Sequence, residues 1–148
     1  EAEALALRAL AGSGVTATAS PDITRVLWEK FMLAAALGTA ACALGVPAGA
    51  VCAVPGGAEL LRAAMAEVAA LARLAGADLG EAEIAATMAF VGTFPPEATT
   101  SFQRDLLARG RSEYAALTGA VPRLAQRHGF TPEVFPRLTA MLAARGLQ

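Results

Sequence analysis

The chain has 148 residues, 55% of them hydrophobic and only 5% aromatic, and its charged side chains almost balance, with a formal net charge of -1. This length and apolar content are enough for one domain with a sizeable core. The balanced charge provides neither the basic surface that nucleic acids require nor a polybasic patch for a lipid surface, so we expect neither partner. Because alanine and leucine supply most of the apolar residues, the composition favours an all-α fold.

Residues 1–19 are predicted to form a short helix followed by a short strand. The helical pattern covers residues 2–11 and ends at Gly12, and Val15 to Ala19 alternates as a strand would. A strand this isolated needs neighbours, so we interpret residues 1–19 as the tail of a preceding sheet-containing domain. Residues 20–148 are then the helical domain. An acidic start without an initiator methionine or signal-peptide pattern indicates a chain cut from something longer.

A long central helix is predicted to begin at Ser20 as N-cap and to end at Leu44, with Gly45 as its stop. Residues 31–54 contain no charged side chain, and this uncharged stretch is long enough to cross a bilayer. The run is rich in alanine and glycine, contains Pro47 and has no aromatic belt or flanking basic cluster, which argues against a membrane span. We interpret it as the centre of a helical bundle.

Five further helices are predicted, at residues 57–75, 81–93, 101–108, 112–128 with a break near Pro122, and 132–144. The helix at 57–75 has an apolar stripe that ends at Leu74. Cys42 and Cys52 form no C-x-x-C pair, so we expect two buried, reduced thiols and a cytoplasmic protein.

Lys30 is the first candidate for a chemical role. Ala34 and Gly38 follow it by one and two turns on roughly the same helix face, so its ammonium group would lie above a surface without bulk. A desolvated lysine there could protonate a carbonyl oxygen, since burial lowers its pKa towards a working pH. The alternative is a lysine whose stem lies on the core and whose head stays in water.

Ser101 and Glu113 are the next candidates, each predicted in the first turn of a helix. Free backbone N–H groups near Ser101 would favour a carboxylate ligand, although a capping role also explains a serine there. Glu113 could likewise only offset a helix dipole. His128 is the only histidine, and no nucleophile, ligand cluster or phosphate-binding loop accompanies it. We therefore expect neither a catalytic triad nor a metal site.

A series of short motifs resembles the C-terminal domain of the ketopantoate reductase family. In order they are WEK at 28–30, Gly45-x-Pro47, TSFxxD at 100–105, RSE at 111–113, LTGAV at 117–121 and RHG at 127–129. The resemblance implies a multi-helix bundle of the 6-phosphogluconate dehydrogenase C-terminal type. It also implies that the N-terminal helix and strand are left over from a Rossmann domain that binds NADPH.

The same resemblance implies specific roles for the candidate residues. Lys30 corresponds to the general acid that serves the carbonyl oxygen of a 2-oxo acid. Ser101 corresponds to the residue that holds the substrate carboxylate, and Glu113 to a residue where cofactor and substrate meet. The family's reaction belongs to pantothenate biosynthesis, and a homodimer is possible. The chain alone lacks the nucleotide-binding fingerprint, so we expect it to be inactive by itself.

The chain departs from the family pattern at several polar positions. Family asparagines are replaced by Ala34, Gly38 and Ala48, and another by Thr118. Removing buried amides predicts a substrate pocket that is less polar and roomier, for a compound less hydroxylated than ketopantoate. The alternative from a different class is a non-catalytic helical interaction or dimerisation domain, in which Lys30 is a surface cation.

Overall fold

The all-α prediction is confirmed by the computed structural model, which describes residues 2–147 and contains no strand among them. Helix α2 lies at the centre, and α3, α5, α7 and a short 3-10 helix contact it. The elements are α1 (Ala2–Leu10), α2 (Ile23–Leu44), the 3-10 helix (Ala48–Ala53), α3 (Gly57–Leu74), α4 (Glu81–Val91), α5 (Ser101–Leu107), α6 (Ala120–Arg127) and α7 (Val134–Ala144).

The strand predicted at residues 15–19 is wrong. These residues have no regular secondary structure and connect α1 to α2, and Val15 is 60% exposed. A strand forms only when a neighbour accepts and donates its ladder hydrogen bonds. Residues 2–147 contain no other strand to do so.

Helix α2 is capped by Asp22 rather than by the predicted Ser20. The Asp22 Oδ1 atom accepts a hydrogen bond of 2.9 Å from the backbone N of Arg25, which satisfies one of the free N–H groups of the first turn. The Ser20 Oγ atom instead accepts from the backbone N of Asp22 at 3.2 Å. At the other end Gly45 stops the helix as predicted, with a φ of 73° that glycine adopts readily.

The C-terminal half of α2 forms the centre of the core. Residues 35–43 are all buried, and most of them are small, so the backbones of α3, α5 and α7 can approach closely. By length and composition α2 could also span a membrane, but 56% of its apolar window is buried inside the bundle. Burial on this scale is typical of a core helix.

Three other expectations about the elements differ from the structure. Residues 111–119 form bends and turns, and α6 begins only at Ala120, with Pro122 in its first turn, where a proline loses no hydrogen bond. Glu113 is therefore not in the first turn of a helix. Leu74, expected on the buried stripe, is 52% exposed at the end of α3. The 3-10 helix was not predicted because its short apolar run has no helical period.

The N-terminus of α7 is held by a carboxylate from another helix. Glu67 of α3 accepts backbone hydrogen bonds from Val134 at 2.6 Å, from Phe135 at 3.0 Å and from Glu133. A negative charge is stabilising there because the first N–H groups of a helix are unpaired and carry the positive end of its dipole. This contact fixes α7 against α3.

We expect Glu67→Gln to lower the free energy of unfolding by about 2 kcal/mol, because the amide lacks the charge and keeps only one acceptor oxygen. Urea denaturation measures the change. Glu97→Gln, at an exposed turn position, is the matched control and should change stability by less than about 0.5 kcal/mol. Equal stabilities for the two variants would contradict this role of Glu67.

Candidate functional site

Lys30 is the only lysine in the sequence and lies on the exposed N-terminal half of α2. It lines a groove of about 410 Å³ between α2 and α4, together with Val26, Glu29, Leu33, Ala86, Thr87 and Phe90. Lys30 takes part in no ion pair within residues 2–147. In this chain it is a surface cation at the edge of an apolar groove, and the desolvation expected from the sequence is not present.

A cluster of ion pairs fixes the edge of this groove. Arg25 contacts Glu29 one turn further along α2, with Nε and Oε1 3.1 Å apart, and Glu83 of α4, with Nη2 and Oε1 2.5 Å apart. Glu83 also accepts a 2.8 Å hydrogen bond from the backbone N of Gly80. This backbone hydrogen bond, with a smaller contribution from Arg25, lowers the pKa of Glu83. The cluster therefore links α2 to the start of α4.

Further along α2, the face that carries Lys30 is closed by an aromatic ring. Ala34 is half-buried, but Gly38 is buried under Phe102 of α5, which is itself 2% exposed. A Cβ atom on Gly38 would lie 2.5 Å from Cδ1 of Phe102. The expectation of added room at Gly38 is therefore wrong, because the ring occupies the space. No local pattern indicates this contact, since Gly38 and Phe102 lie far apart in the chain.

Ala48 is also enclosed, with only 1% of its surface exposed. Next to it, the backbone N of Gly49 donates a 3.0 Å hydrogen bond to the carbonyl oxygen of Ala98, and a Cβ on Gly49 would collide with the carbonyl oxygen of Pro95. The turn before α5 thus lies directly against the 3-10 helix. Of the three positions Ala34, Gly38 and Ala48, only Ala34 keeps exposed surface.

Ser101 is the exposed first residue of α5, and it is not the cap of that helix. Thr100 has this role, as its hydroxyl accepts a 3.0 Å hydrogen bond from the backbone N of Gln103. Phe102 contacts Gly38, so the start of α5 lies near Gly38 on α2. Gly38 follows Lys30 by eight residues, which is about 12 Å along the helix at about 1.5 Å per residue.

Glu113 is exposed and lies in the turns of residues 111–119. These turns are anchored to α2 by the hydroxyl groups of Thr118 and Thr39, which are buried and 2.7 Å apart. Thr118 thus makes a buried polar contact. Neither Glu113 nor Ser101 lines the groove that contains Lys30. Lys30 lies on α2 itself, whereas Ser101 and Glu113 lie in segments that contact α2 through Phe102 and Thr118.

A second apolar groove, of about 330 Å³, was not anticipated from the sequence. It is lined by Leu27, Trp28, Phe31, Ala116, Ala120 and Leu124. The Trp28 and Phe31 rings meet edge to face, with centroids 5.6 Å apart. From the helical period, Lys30 and Ala34 lie between this groove and the first one. The N-terminal half of α2 is thus a ridge on which Lys30 lies between two apolar grooves.

The remaining candidate groups show no arrangement for metal or nucleophilic chemistry. Among the residues whose placement is described, no three His, Cys, Asp or Glu side chains cluster closely enough to hold a metal ion. His128 is exposed at the end of α6. Both cysteines are unpaired; Cys42 is buried as expected, whereas Cys52 is half-buried. Burial raises the pKa of the Cys42 thiol to about 11, which keeps it protonated.

Comparison with known sequences shows a family relationship over most of the chain. Residues 22–146 match the family model described as ketopantoate reductase PanE/ApbA C terminal. The 2-dehydropantoate 2-reductases of Mycobacterium tuberculosis strains CDC 1551 / Oshkosh and ATCC 25618 / H37Rv are 30% identical to the chain over 135 residues. That alignment covers 91% of this chain and 45% of each relative, so the chain spans about half the length of these curated relatives.

Solved structures share the fold. A dimeric ketopantoate reductase from Staphylococcus aureus has a TM-score of 0.85 at 21% identity, over 97% of this chain and 50% of the other. A PanE/ApbA family ketopantoate reductase from Ralstonia eutropha JMP134 has a TM-score of 0.82 at 25% identity, over 95% of this chain and 47% of the other. D-mandelate dehydrogenase with NADH and anilino(oxo)acetate has a TM-score of 0.83 at 20% identity, over 97% of this chain and 59% of the other. From the family match over residues 22–146, supported by this common fold, the chain belongs to the ketopantoate reductase family.

Proposed function

We propose that this chain is the substrate-binding, helical C-terminal domain of a nicotinamide-dependent reductase that converts a 2-oxo acid into a 2-hydroxy acid. The observation that carries the proposal is the position of Lys30, the sole lysine, on an exposed ridge of α2 in a member of this family. A reduced nicotinamide supplies the hydride that the carbonyl carbon accepts. The Lys30 ammonium group donates its proton to the carbonyl oxygen as negative charge develops there, which leaves a neutral amine that solvent reprotonates.

The substrate is proposed to lie along α2 between Lys30 and the start of α5. Ser101 is assigned to the substrate carboxylate, since its exposed side chain is not required as the helix cap. Glu113 is assigned to the nucleotide. Both roles come from the family resemblance, and both are supported by exposure and by the anchoring of their segments on α2 at Gly38 and Thr39. Ala34 is the remaining open position of the substrate wall.

We further propose that residues 1–19 end a nucleotide-binding domain and that residues 20–148 form the substrate domain. The family match begins at residue 22, and the chain corresponds to about half of its relatives. Ile23, Val26 and Leu27, which are 45–58% exposed beside Lys30, are a surface that such a domain would cover. Covering it would remove water from around the ammonium group.

The cofactor is proposed to be NADPH, held mainly by that preceding domain. The grooves beside Lys30 are lined chiefly by apolar side chains and contain no glycine-rich phosphate loop, so the residues described here suit contact with the reacting end of the cofactor rather than with its phosphates. A homodimer and a cytoplasmic location are also proposed. The dimeric relative supports the first, and the unpaired thiols of Cys42 and Cys52 support the second.

A non-catalytic dimerisation domain is the second candidate, and the exposed apolar residues of α2 favour it. In that case Ile23, Val26 and Leu27 would be covered by a second copy of the chain rather than by a nucleotide-binding domain. The two candidates predict different results for the same protein, because only the reductase consumes a reduced cofactor.

The test is NADPH and NADH oxidation by the full-length protein with a panel of 2-oxo acids, beside the same assay on residues 1–148. We expect turnover of at least one 2-oxo acid by the full-length protein and none by residues 1–148. Turnover by residues 1–148 alone would contradict the domain assignment. A folded full-length protein that dimerises through α2 and oxidises neither cofactor with any 2-oxo acid would support the dimerisation domain.

A further inference from the structure

We infer that a cavity at the C-terminal end of α2 binds a small hydroxy acid, through its carboxylate and its hydroxyl group. The cavity has a volume of about 170 Å³ and lies between the end of α2, α5 and the residue that follows α7. None of its lining residues lines either groove beside Lys30, so the inference does not depend on the proposed function. Its lining includes Cys42, Val46, Pro47, Gln103, Leu107 and Arg145.

One of the residues that line this cavity has a buried amide oxygen without a hydrogen-bond partner. Gln103 is only 3% exposed, and within residues 2–147 nothing donates a hydrogen bond to its Oε1 atom. Its Nε2 atom donates a 2.7 Å hydrogen bond to the carbonyl oxygen of Val46. Exchanging the amide oxygen and nitrogen would place two acceptors against each other, so this orientation is fixed. A buried acceptor without a donor is unfavourable, and a ligand hydroxyl would supply the donor.

Arg145 brings a positive charge to the same cavity. Its guanidinium group lies over Gly45, where a Cβ atom would collide with it. It takes part in no ion pair within residues 2–147. Burial raises the pKa of the Cys42 thiol to about 11, and the charge of Arg145 opposes this increase, as expected if the guanidinium faces the cavity. The planar fork of N–H donors in arginine matches the two oxygens of a carboxylate.

The rest of the lining favours an organic anion over an inorganic one. Val46, Pro47 and Leu107 offer hydrocarbon contacts, and the protonated thiol of Cys42 behaves as a small apolar group. The volume is several times that of one water molecule, about 30 Å³, so a single water would not fill it. A short carbon chain between a carboxylate and a hydroxyl group meets all three features of the site: the cation, the acceptor and the apolar wall.

The test is a titration of the full-length protein with two hydroxy acids, lactate and 3-hydroxybutyrate. Propionate and butyrate are the matched ligands, since each lacks only the hydroxyl group. We expect at least one hydroxy acid to bind with a Kd in the millimolar range, as suits so small a ligand, and its matched ligand to bind about tenfold more weakly. Binding should shift the side-chain amide signal of Gln103 in nitrogen-15 NMR spectra, a signal assigned by its loss in Gln103→Met.

Arg145→Ala should weaken binding of the hydroxy acid by about tenfold or more, and its exposed position makes it a mild change to the fold. Arg127→Ala is the matched control, because it removes another exposed cation, at the end of α6, and should leave the affinity unchanged. Lys30→Ala should also leave it unchanged, which separates this cavity from the proposed substrate site.

Three results would overturn the inference. They are the absence of binding by both hydroxy acids, equal affinity for the acids with and without the hydroxyl group, and binding that Lys30→Ala abolishes but Arg145→Ala does not. Bound hydroxy acid should also raise the melting temperature of the unmodified protein, because it binds only the folded state, and this increase should be smaller in Arg145→Ala.

Discussion

Replacing Lys30 with alanine in the full-length protein is expected to lower kcat/KM for 2-oxo acid reduction by about 100- to 10,000-fold, the usual contribution of a positioned general acid. The carbonyl oxygen gains negative charge as hydride arrives, and no other lysine in residues 1–148 can replace the lost proton donor. The loss should fall mainly on kcat, because the ammonium group acts most strongly in the transition state. Cofactor oxidation under steady-state conditions measures it.

Two further variants separate catalysis from charge. Lys30→Arg keeps the positive charge, but a guanidinium group does not release its proton, so this variant should stay close to the alanine variant in activity. Arg137→Ala removes an exposed cation from α7 and should retain activity within about twofold. Activity of the Lys30→Ala variant within a few-fold of the parent protein would remove Lys30 from the mechanism.

The substitution Gly49→Ala is expected to cost about 3 kcal/mol of unfolding free energy, a large effect for the addition of one methyl group. The backbone of Gly49 is not in the left-handed region, so alanine is allowed by conformation. Its Cβ would collide with the carbonyl oxygen of Pro95, and separating the two segments would break the 3.0 Å hydrogen bond from Gly49 N to Ala98 O. Thermal or urea unfolding measures the loss.

The same contact fixes the start of α5, so Gly49→Ala should also raise KM for the 2-oxo acid by displacing Ser101. Gly110→Ala is the matched control: a Cβ there would meet only the carbonyl oxygen of Asp105, at an ordinary 3.8 Å, and its backbone is likewise not left-handed. It should change stability by less than about 1 kcal/mol. If Gly49→Ala proves as stable as Gly110→Ala, the close approach at Pro95 is not a constraint on the fold.

The central part of the fold could be predicted because its signals are local. The uncharged run within α2 and its glycine stop identify a buried helix and its end. The strand at residues 15–19 could not be judged in this way, since a strand depends on partners elsewhere in the chain. The start of α6 was misplaced for a related reason: residues 112–119 have acceptable helix propensity, but they form bends and turns, and Thr118 among them bonds to Thr39 of α2, a contact that propensity does not reveal.

For the candidate site, the position of Lys30 along α2 could be predicted from the sequence, but its surroundings could not. The helical period alone places Ala34 and Gly38 in line with Lys30. What covers each of them depends on a long-range contact, which period and composition do not reveal. Phe102 reaches Gly38 from α5, and Ala48, the first residue of the 3-10 helix, is only 1% exposed. The small residues therefore mark close packing at Gly38 and Ala48, and open surface only at Ala34.

The most direct test of a general acid at Lys30 is a single-turnover measurement of hydride transfer. The full-length protein and its Lys30→Ala variant are mixed with reduced cofactor and saturating 2-oxo acid, and nicotinamide absorbance is followed over the first turnover. We expect a first-order rate at least about 100-fold slower in the variant, with substrate affinity little changed. An equal rate in both proteins would contradict proton donation by Lys30.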